Sequence, residues 1–147
     1  MDEVKELINS KYEFYGDKVF QIIAKLSFAK FSKNFEYSNP VFSIPIDDHT
    51  RHEFSHTAIL NKELKTKNIT PLYNILKAQN IVKYAGKDLS FRKNNKRDFF
   101  CKDLKNKQVI LVDDIVTTGT TMLEAKEILE KNNCEVLFGL CISDANI

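Results

Sequence analysis

The sequence predicts an α/β fold, with a mostly parallel, twisted sheet of four to five strands and helices on its faces. Short apolar segments typical of strands alternate with segments that carry apolar residues at helical spacing. The segment before residue 113 is apolar without interruption, which is typical of a strand that helices cover on both faces. Right-handed crossovers join strands that alternate with helices, so most of the strands should run parallel.

Seven elements make up this alternation. They are a helix over 17–31, a strand over 40–46, a helix over 53–67, a strand over 70–76, a strand over 108–114, a helix over 120–133 and a strand over 134–142. The last helix carries Met122, Ala125 and Leu129 on one face. Pro45 should end the first strand, because proline has no N–H to donate to a neighbouring strand.

Length and composition indicate one globular domain. A chain of 147 residues, 43% apolar and 29% charged, can bury a core of its own. It contains no run of about 18 apolar residues, so we expect no insertion into a membrane. Cys101, Cys134 and Cys141 have no CxxC spacing, which argues against a disulfide framework or a zinc ribbon. A reducing cytoplasm is therefore the expected location.

Positive charge is concentrated in a basic segment, residues 77–107. Ten Lys and Arg stand there against three Asp, although the net charge of the whole chain is only +2. A solvated loop would account for this composition. A mobile loop that meets the phosphates of a small ligand or of a nucleic-acid strand is the alternative. Its aromatic residues either stack on bases or pack at the ends of the loop; they are Tyr84, Phe91, Phe99 and Phe100.

The most informative stretch is VILVDDIVTTGTT, residues 109–121. Four apolar residues lead into Asp113 and Asp114, which places both carboxylates at the carboxyl end of a strand, where ligands bind in α/β sheets. The following turn opens a helix whose first amide groups lack intrahelical partners. Gly119 allows this backbone to approach a phosphate closely. Because carboxylates accept hydrogen bonds from hydroxyl groups, a phosphorylated sugar matches both ends of the stretch.

This stretch resembles the phosphoribosyl-pyrophosphate (PRPP) motif of type I phosphoribosyltransferases, and it is not a P-loop because no GKS or GKT is present. The resemblance implies the type I phosphoribosyltransferase fold with a minimal hood. A single domain would comprise a helical hood segment over 1–35 and a PRPP-binding core over 40–147. Asp113 and Asp114 would hold the ribose 2- and 3-hydroxyls as catalytic residues. The 5-phosphate would lie in a loop formed by Thr117, Thr118, Gly119, Thr120 and Thr121.

The resemblance also implies Mg²⁺, bound through PRPP rather than directly by protein ligands. This agrees with the tendency of Mg²⁺ to keep waters and substrate oxygens. Such enzymes pass through an oxocarbenium-like sugar as pyrophosphate leaves, so electrostatic positioning carries most of the catalysis. The candidate contacts for pyrophosphate or for DNA are Arg51, Lys87, Arg92 and Arg97. For Arg51 an ordinary surface arginine is the alternative.

Two further segments resemble ComF-type competence proteins. IPIDDHTRHEFSHTAIL, residues 44–60, shares Phe54, Ala58 and Leu60 with the ComF pattern. Ser55 and His56 stand in place of its Asn-Gln. The second, KYAGKDLSFRKNNKRDFF, has the expected basic start, leucine, arginine and final phenylalanine. Many ComF proteins begin with a four-cysteine zinc ribbon, which this chain lacks. The resemblance implies a role in natural transformation, where incoming single-stranded DNA is handled in the cytoplasm with other competence proteins.

HEFSH, residues 52–56, also matches the H-E-x-x-H signature of zinc proteases. A zinc protease needs a third ligand downstream, and the remaining histidine, His49, lies upstream. Glu63 is too close along the same helix. The sequence therefore disfavours a zinc protease.

Three functions of different classes remain open. The first is a transferase that moves the 5-phosphoribosyl group of PRPP to an acceptor. The second is a non-catalytic module that senses PRPP and binds nucleic acid or protein. The third is nucleobase salvage, which is disfavoured because only the residues before 40 and after 142 are left to build a base-selective hood.

Overall fold

The computed structural model describes residues 2–46, 54–80 and 88–145. Its helices are α1 (Asp2–Asn9), α2 (Gly16–Leu26), α3 (Phe28–Asn34), α4 (His56–Lys62), α5 (Leu89–Asn94) and α6 (Thr120–Lys131). A single 3₁₀ turn, Ser10–Tyr12, follows α1 and is called the Lys11 turn below. The strands are β1 (Val41–Pro45), β2 (Ile69–Pro71), β3 (Leu76–Ala78), β4 (Phe99–Cys101), β5 (Gln108–Val112), β6 (Ile115–Val116), β7 (Glu135–Leu140) and β8 (Ser143–Asp144).

The main sheet has four strands in the order β2-β1-β5-β7, and every neighbouring pair is parallel. This confirms the predicted α/β class and its parallel sheet. Two small sheets accompany it: an antiparallel pair of β3 with β4 and a parallel pair of β6 with β8. Within the described residues, no helix has the length and apolar character needed to cross a membrane.

Each face of the sheet supports its own apolar core, because successive residues of a strand point to opposite faces. Val109 and Leu111 of β5 pack on one face with buried residues of α6, β3 and β4. Ile110 and Val112 pack on the other face with buried residues of α2, α3 and α4. All four side chains are fully buried, and each contributes about 1.5–3 kcal/mol by leaving water. Burial on both faces therefore fixes the position of the residues that follow β5.

The prediction of one helix over 17–31 is wrong, because Ser27 separates α2 from α3. The N–H and the Oγ of Ser27 both donate to the Ile23 carbonyl oxygen, at 3.0 and 2.6 Å. The hydroxyl thus shares the acceptor of the ordinary helical N–H bond, and such back-bonding by serine destabilises and often bends a helix. The apolar periodicity continues across this break, so the spacing did not reveal it.

The predicted helix over 53–67 is shorter in the structure, and α4 spans only His56–Lys62. Ser55 begins it as an N-cap, because its Oγ accepts from the N–H of Ala58 at 3.2 Å. At the other end, the N–H of Leu64 donates to the Asn61 carbonyl oxygen at 3.1 Å in a closing turn.

The predicted strand over 70–76 is also wrong, since the segment is divided between β2 and β3, which belong to different sheets. Pro71 ends β2, and the N–H of Leu72 still reaches the Ser43 carbonyl oxygen at 2.8 Å. Asn74 then turns the chain with a left-handed φ of 57°, a conformation that asparagine adopts more readily than most residues. An apolar run across two short strands resembles one longer strand.

The basic segment contains regular structure rather than a simple loop. β3 and β4 form a hairpin with three residue pairs, and α5 lies between them in the sequence. Within this β3–β4 hairpin, Lys77 stands opposite Phe100, and both side chains are exposed. Residues 81–87 lie outside the described part of the chain.

Candidate functional site

The two aspartates lie at the carboxyl end of β5, where the chain leaves the main sheet. The N–H of Asp113 still donates to the Leu140 carbonyl oxygen of β7 at 3.0 Å. Asp113 Oδ1 accepts from the N–H of Asp114, and Asp114 Oδ1 accepts from the N–H of Ile115, both at 2.8 Å. These local bonds end the strand and hold both carboxyl groups close to the backbone.

Asp114 points into the protein and is only 5% exposed. Its Oδ2 accepts a hydrogen bond from Lys11 Nζ at 2.6 Å and lies 3.4 Å from His56 Nε2. Lys11 comes from the Lys11 turn, and His56 is the first residue of α4. Three segments that are distant in the sequence therefore meet at this carboxylate.

Asp113 is half-buried and lies within the electrostatic reach of Arg97, beside the β3–β4 hairpin. Burial, repulsion by the Asp114 carboxylate and a hydrogen bond between the two carboxyl groups raise the pKa of Asp113 well above its usual range. The positive charge of Arg97 opposes this rise but does not outweigh it.

Burial alone would raise the pKa of Asp114 as well, but the charges of Lys11 and His56 outweigh it and lower that pKa. When the pair carries a single proton, Asp113 therefore holds the proton and Asp114 the negative charge. Two neighbouring aspartates acquire different acid–base properties because different partners face them.

The threonine turn lies directly after this acid pair and opens α6. Gly119 is the N-cap of α6 and has a left-handed φ of 74°. Apart from its chain neighbours and its own helix, no atom lies within 4 Å of the position that a Cβ on Gly119 would take, so this side of the turn is open. The Oγ1 atoms of Thr118 and Thr120 are 2.9 Å apart. The N–H of Leu123 makes the first helical bond, to the Gly119 carbonyl oxygen at 2.9 Å.

The backbone amides between Gly119 and Leu123 therefore have no acceptor within the helix and face its amino-terminal side. Such a helix start attracts anions, because its amides and its dipole both favour negative charge. The hydroxyl groups of the turn add short donors. Chemically, the arrangement offers an anion site a few residues away from a pair of carboxyl groups.

The predicted basic contacts have different outcomes. Arg97 lies near Asp113, and its backbone N–H donates to Glu124 Oε2 of α6 at 3.0 Å. Arg92 belongs to α5. Arg51 and Lys87 lie outside the described residues, as does Tyr84.

The aromatic residues of the basic segment take different environments as well. Phe99 is 7% exposed and belongs to the core, so core packing is the correct interpretation for this residue. Phe100 is 54% exposed, and Phe91 is half-buried.

Among the described residues of the HEFSH stretch, one contacts the acid pair. His56 contacts Asp114, whereas His52 and Glu53 lie outside the described residues. In the described ranges, no group of three or more His, Cys, Asp or Glu side chains has an arrangement that could hold a metal ion.

Sequence reasoning did not identify three residues of this site. Lys11 lies 103 residues before Asp114, and no local pattern connects them. His56 was considered only as part of the zinc signature and of the ComF-like segment, and Glu124 was not singled out. A search for basic residues near the start of the chain would have had no reason to prefer Lys11 over its neighbours.

Comparison of the sequence with known proteins gives two matches, one to a family model and one to a single protein. Residues 73–145 match the family model described as the phosphoribosyl transferase domain. The chain is 53% identical to ribose-phosphate pyrophosphokinase of Pyrococcus furiosus over 36 residues, which are 24% of this chain and 13% of that protein.

Solved structures give a second comparison. Hypoxanthine phosphoribosyltransferase from Staphylococcus aureus, in a tetragonal crystal form, aligns with a TM-score of 0.50 and 18% identity, over 87% of this chain and 64% of that chain. UMP synthase of Leishmania donovani aligns with a TM-score of 0.46 and 14% identity, over 87% of this chain and 27% of that chain. The chain thus spans less than two thirds of the length of each of these relatives.

Proposed function

We propose that this chain, which has the type I phosphoribosyltransferase fold and matches the phosphoribosyl transferase domain over residues 73–145, binds PRPP and transfers its 5-phosphoribosyl group. One observation carries the proposal. The acid pair at the end of β5 stands three residues before an open threonine turn that starts α6. This arrangement combines, at neighbouring positions of the chain, the two kinds of group that a phosphorylated pentose needs.

In this proposal the 5-phosphate binds in the turn of residues 117–121. Its oxygens accept from the amides at the start of α6 and from the threonine hydroxyls. Gly119 supports this role in two ways, because its left-handed φ shapes the turn and because the space beside it is open. A side chain at this position would occupy the space that the phosphate needs.

The ribose hydroxyls donate to the acid pair. Asp113 is the more exposed carboxyl group. Its raised pKa favours the protonated form in the free protein, and an arriving cation or hydrogen-bond donor would lower that pKa and favour the carboxylate. Mg²⁺ would arrive bound to oxygens of PRPP and would keep several of its waters, so it needs no direct protein ligand. When bound, the ion would neutralise charge on the pyrophosphate that leaves.

The transfer breaks the bond between C1 of the ribose and the pyrophosphate oxygen, which leaves with the bonding electrons. The acceptor supplies the electron pair of the new bond at C1. Positive charge develops on the sugar as the old bond breaks, and the nearby carboxylates stabilise it. Among the candidate contacts for pyrophosphate, Arg97 is supported by the effect of its charge on Asp113. Arg51, Lys87 and Arg92 remain candidates for the pyrophosphate.

Calorimetry with PRPP and Mg²⁺, combined with an assay of pyrophosphate release, tests this function. Asp113→Asn and Gly119→Val should each weaken binding at least about tenfold, which corresponds to about 1.4 kcal/mol. Glu127→Gln, an exposed change on α6, is the matched control and should bind as the wild type does. Equal affinity in all four proteins would refute the site. A panel of nucleobases and amines would then separate salvage from other acceptors, and release with no acceptor in the panel would favour a sensing module.

A second candidate, single-stranded DNA binding of the ComF type in the cytoplasm, is supported by one feature of the β3–β4 hairpin. Lys77 and Phe100 form a cross-strand pair in which both side chains are exposed. A cation beside an exposed aromatic ring is the pairing that single strands use, with the ring stacking on a base. Other competence proteins would then be partners.

Fluorescence anisotropy with a labelled oligonucleotide tests this second candidate. Phe100→Ala and Lys77→Ala should each weaken binding, and the affinity should fall steeply as salt is added. Lys126→Ala, an exposed lysine of α6, controls for a general loss of charge. No binding by the wild type at low salt would exclude the DNA role and leave the PRPP site untouched.

A further inference from the structure

A buried ion pair joins the N-terminal part of the chain to the acid pair. Lys11 Nζ lies 2.6 Å from Asp114 Oδ2, and the two side chains are only 15% and 7% exposed. Removing two ions from water costs free energy that their attraction often only offsets. An apolar pair of similar volume would frequently be as stable, so fold stability alone does not account for this contact.

Backbone packing and hydrogen bonds hold the turn that carries Lys11. Gly16, the first residue of α2, packs so closely that a Cβ there would lie 2.3 Å from the Ser10 carbonyl oxygen and 3.1 Å from Lys11 Cα. The Oγ of Ser10 donates to the Leu7 carbonyl oxygen at 2.6 Å, and the N–H of Gly16 donates to Glu13 at 3.0 Å. The Lys11 turn is therefore held by hydrogen bonds and close packing.

His56 approaches the same oxygen of Asp114 from another element. Its Nε2 lies 3.4 Å from Oδ2, and the ring of Phe20 packs edge-on against the imidazole with centroids 5.6 Å apart. Ser55 caps α4 at the residue before it, which fixes where the helix begins and so where His56 stands. Two groups on separate elements thus converge on one carboxylate oxygen.

We propose that Lys11 is a positioning residue of the PRPP site, which together with His56 fixes Asp114 so that Asp113 is the carboxyl group presented to the ribose hydroxyls. The inference rests on the proposed function, because it assigns different roles to the two aspartates of the proposed PRPP site. Asp114 Oδ2 is already engaged by Lys11 and His56, and its Oδ1 by the N–H of Ile115. Asp113 is the more exposed of the two.

The charged groups around Asp114 come from several elements. Lys11 acts from the Lys11 turn, His56 from α4 and the Asp113 carboxyl from the end of β5. The thiol of Cys141, which follows β7, also lies within the electrostatic reach of both aspartates. Burial opposes ionisation of Asp114, and Lys11 provides the first of the charges that lower its pKa. Without Lys11, Asp114 should take up a proton at higher pH than in the wild type.

A carboxyl-carbon NMR titration of the ligand-free protein tests the positioning itself. In Lys11→Met the Asp114 titration should move to higher pH, whereas Lys11→Arg, which keeps the charge, should stay closer to the wild type. Lys18→Met is the matched control, because it removes the same charge from a side chain that is 73% exposed. An unchanged Asp114 titration in Lys11→Met would overturn the proposal.

Calorimetry with PRPP and Mg²⁺ on the same proteins tests the link to binding. Lys11→Met should weaken binding about tenfold or more and shift its pH profile upward, while Lys18→Met should leave both unchanged. Gly16→Ala pushes the Lys11 turn away without removing a charge, so it should reproduce the shift in a smaller degree.

The outcomes separate the two proposals. If Lys11→Met binds with the affinity and pH profile of the wild type, this inference fails and the proposed function stands. If the wild type binds no PRPP, the proposed function fails and the inference fails with it. Should Lys11→Met not fold, Lys11→Arg and Gly16→Ala decide the question, because both variants keep a positive charge at residue 11.

Discussion

Asp113 and Asp114 are adjacent and chemically identical, yet the fold gives them opposite acid–base behaviour. A strand places successive side chains on opposite faces of the sheet. The two aspartates after β5 therefore meet different partners. Asp114 meets Lys11 and His56 on the face of α2 and α4, whereas Asp113 meets the charge of Arg97 on the face of the β3–β4 hairpin. The pKa of one is lowered and that of the other is raised.

Asp113→Asn should gain stability relative to the wild type as the pH rises. Because folding raises the pKa of Asp113, its contribution to stability is complete below the unfolded-state pKa of about 4 and is lost as the pH rises through the folded-state pKa. Asparagine does not titrate, and its Oδ1 can still accept from the N–H of Asp114. Urea denaturation of both proteins between about pH 4 and 8 measures the difference in the free energy of unfolding.

Asp114→Asn should show the opposite dependence. Because folding lowers the pKa of Asp114, its ionised form contributes stability above about pH 4, and this is lost as the pH falls through the folded-state pKa. At pH 7 the variant leaves Lys11 buried without its carboxylate, which should cost about 3–5 kcal/mol. The deficit should shrink in acid. The same pH dependence in both variants would contradict the opposite pKa shifts.

Gly119→Ala should lower the free energy of unfolding by about 1–2 kcal/mol, because an L-residue is strained at a φ of 74°. Steric clash adds nothing, since the space beside Gly119 is open. Gly119→Asn should lose less, because asparagine tolerates left-handed backbone better. Chemical denaturation checks both, and equal losses would point to a cause other than backbone strain.

At the scale of elements, the β3–β4 hairpin depends on α6 for its placement. It has only three residue pairs, and an isolated two-stranded hairpin is marginally stable in water. The N–H of Arg97 donates to Glu124 Oε2 at 3.0 Å, which ties the hairpin to the helix that carries the threonine turn. Asn80 and Asp98 add a side-chain hydrogen bond of 2.8 Å across the hairpin. The basic segment is thereby attached to the end of the site where the threonine turn lies.

Glu124→Ala should loosen the hairpin and leave α6 intact. The variant removes the acceptor for the N–H of Arg97, while alanine is a good helix former. Hydrogen exchange at residues 97–101 should become faster, and exchange in the second half of α6 should not change. Glu127→Ala, at an exposed position on the same helix, is the control. Unchanged exchange at residues 97–101 in Glu124→Ala would mean that other contacts hold the hairpin.

At the scale of the whole molecule, the site combines β5, an inner strand of the main sheet, with segments from elsewhere in the chain. β5 is buried on both faces, so the acid pair is held by the two cores together. Lys11 comes from the Lys11 turn and His56 from α4, and the charge of Arg97 acts from the hairpin. A ligand that bridges the acid pair and the threonine turn should therefore stabilise the fold as a unit.

PRPP with Mg²⁺ should raise the melting temperature by about 5–10 °C when its concentration is about 100 times Kd. At this ratio, binding to the folded state contributes about 2.7 kcal/mol. Mg²⁺ alone should produce a much smaller shift. Differential scanning calorimetry of the wild type and of Gly119→Val measures the effect, which should be largely absent from the variant. A shift of the same size in both would place the ligand elsewhere.

The sequence alone determined the features that are local along the chain. The apolar run that ends in Asp113 and Asp114, and the glycine turn that opens α6, were both predicted, because strand character, helix start and turn chemistry depend on neighbouring residues. The alternation of strands and helices, and with it the α/β class, followed from the same signals. The break at Ser27 and the division of residues 70–76 were missed, because hydrogen bonds to the preceding turn and to another strand do not alter apolar periodicity.

Only the tertiary structure decided how the two aspartates differ. Lys11 reaches Asp114 from 103 residues away, and His56 reaches it from α4. Neither contact can be recognised from residue spacing along the chain. A buried charge pair depends on how the sheet and its helices pack and on how little water reaches the two charged groups. The physical reason is that proton affinity is set by surroundings in space, whereas sequence patterns record only neighbours along the chain.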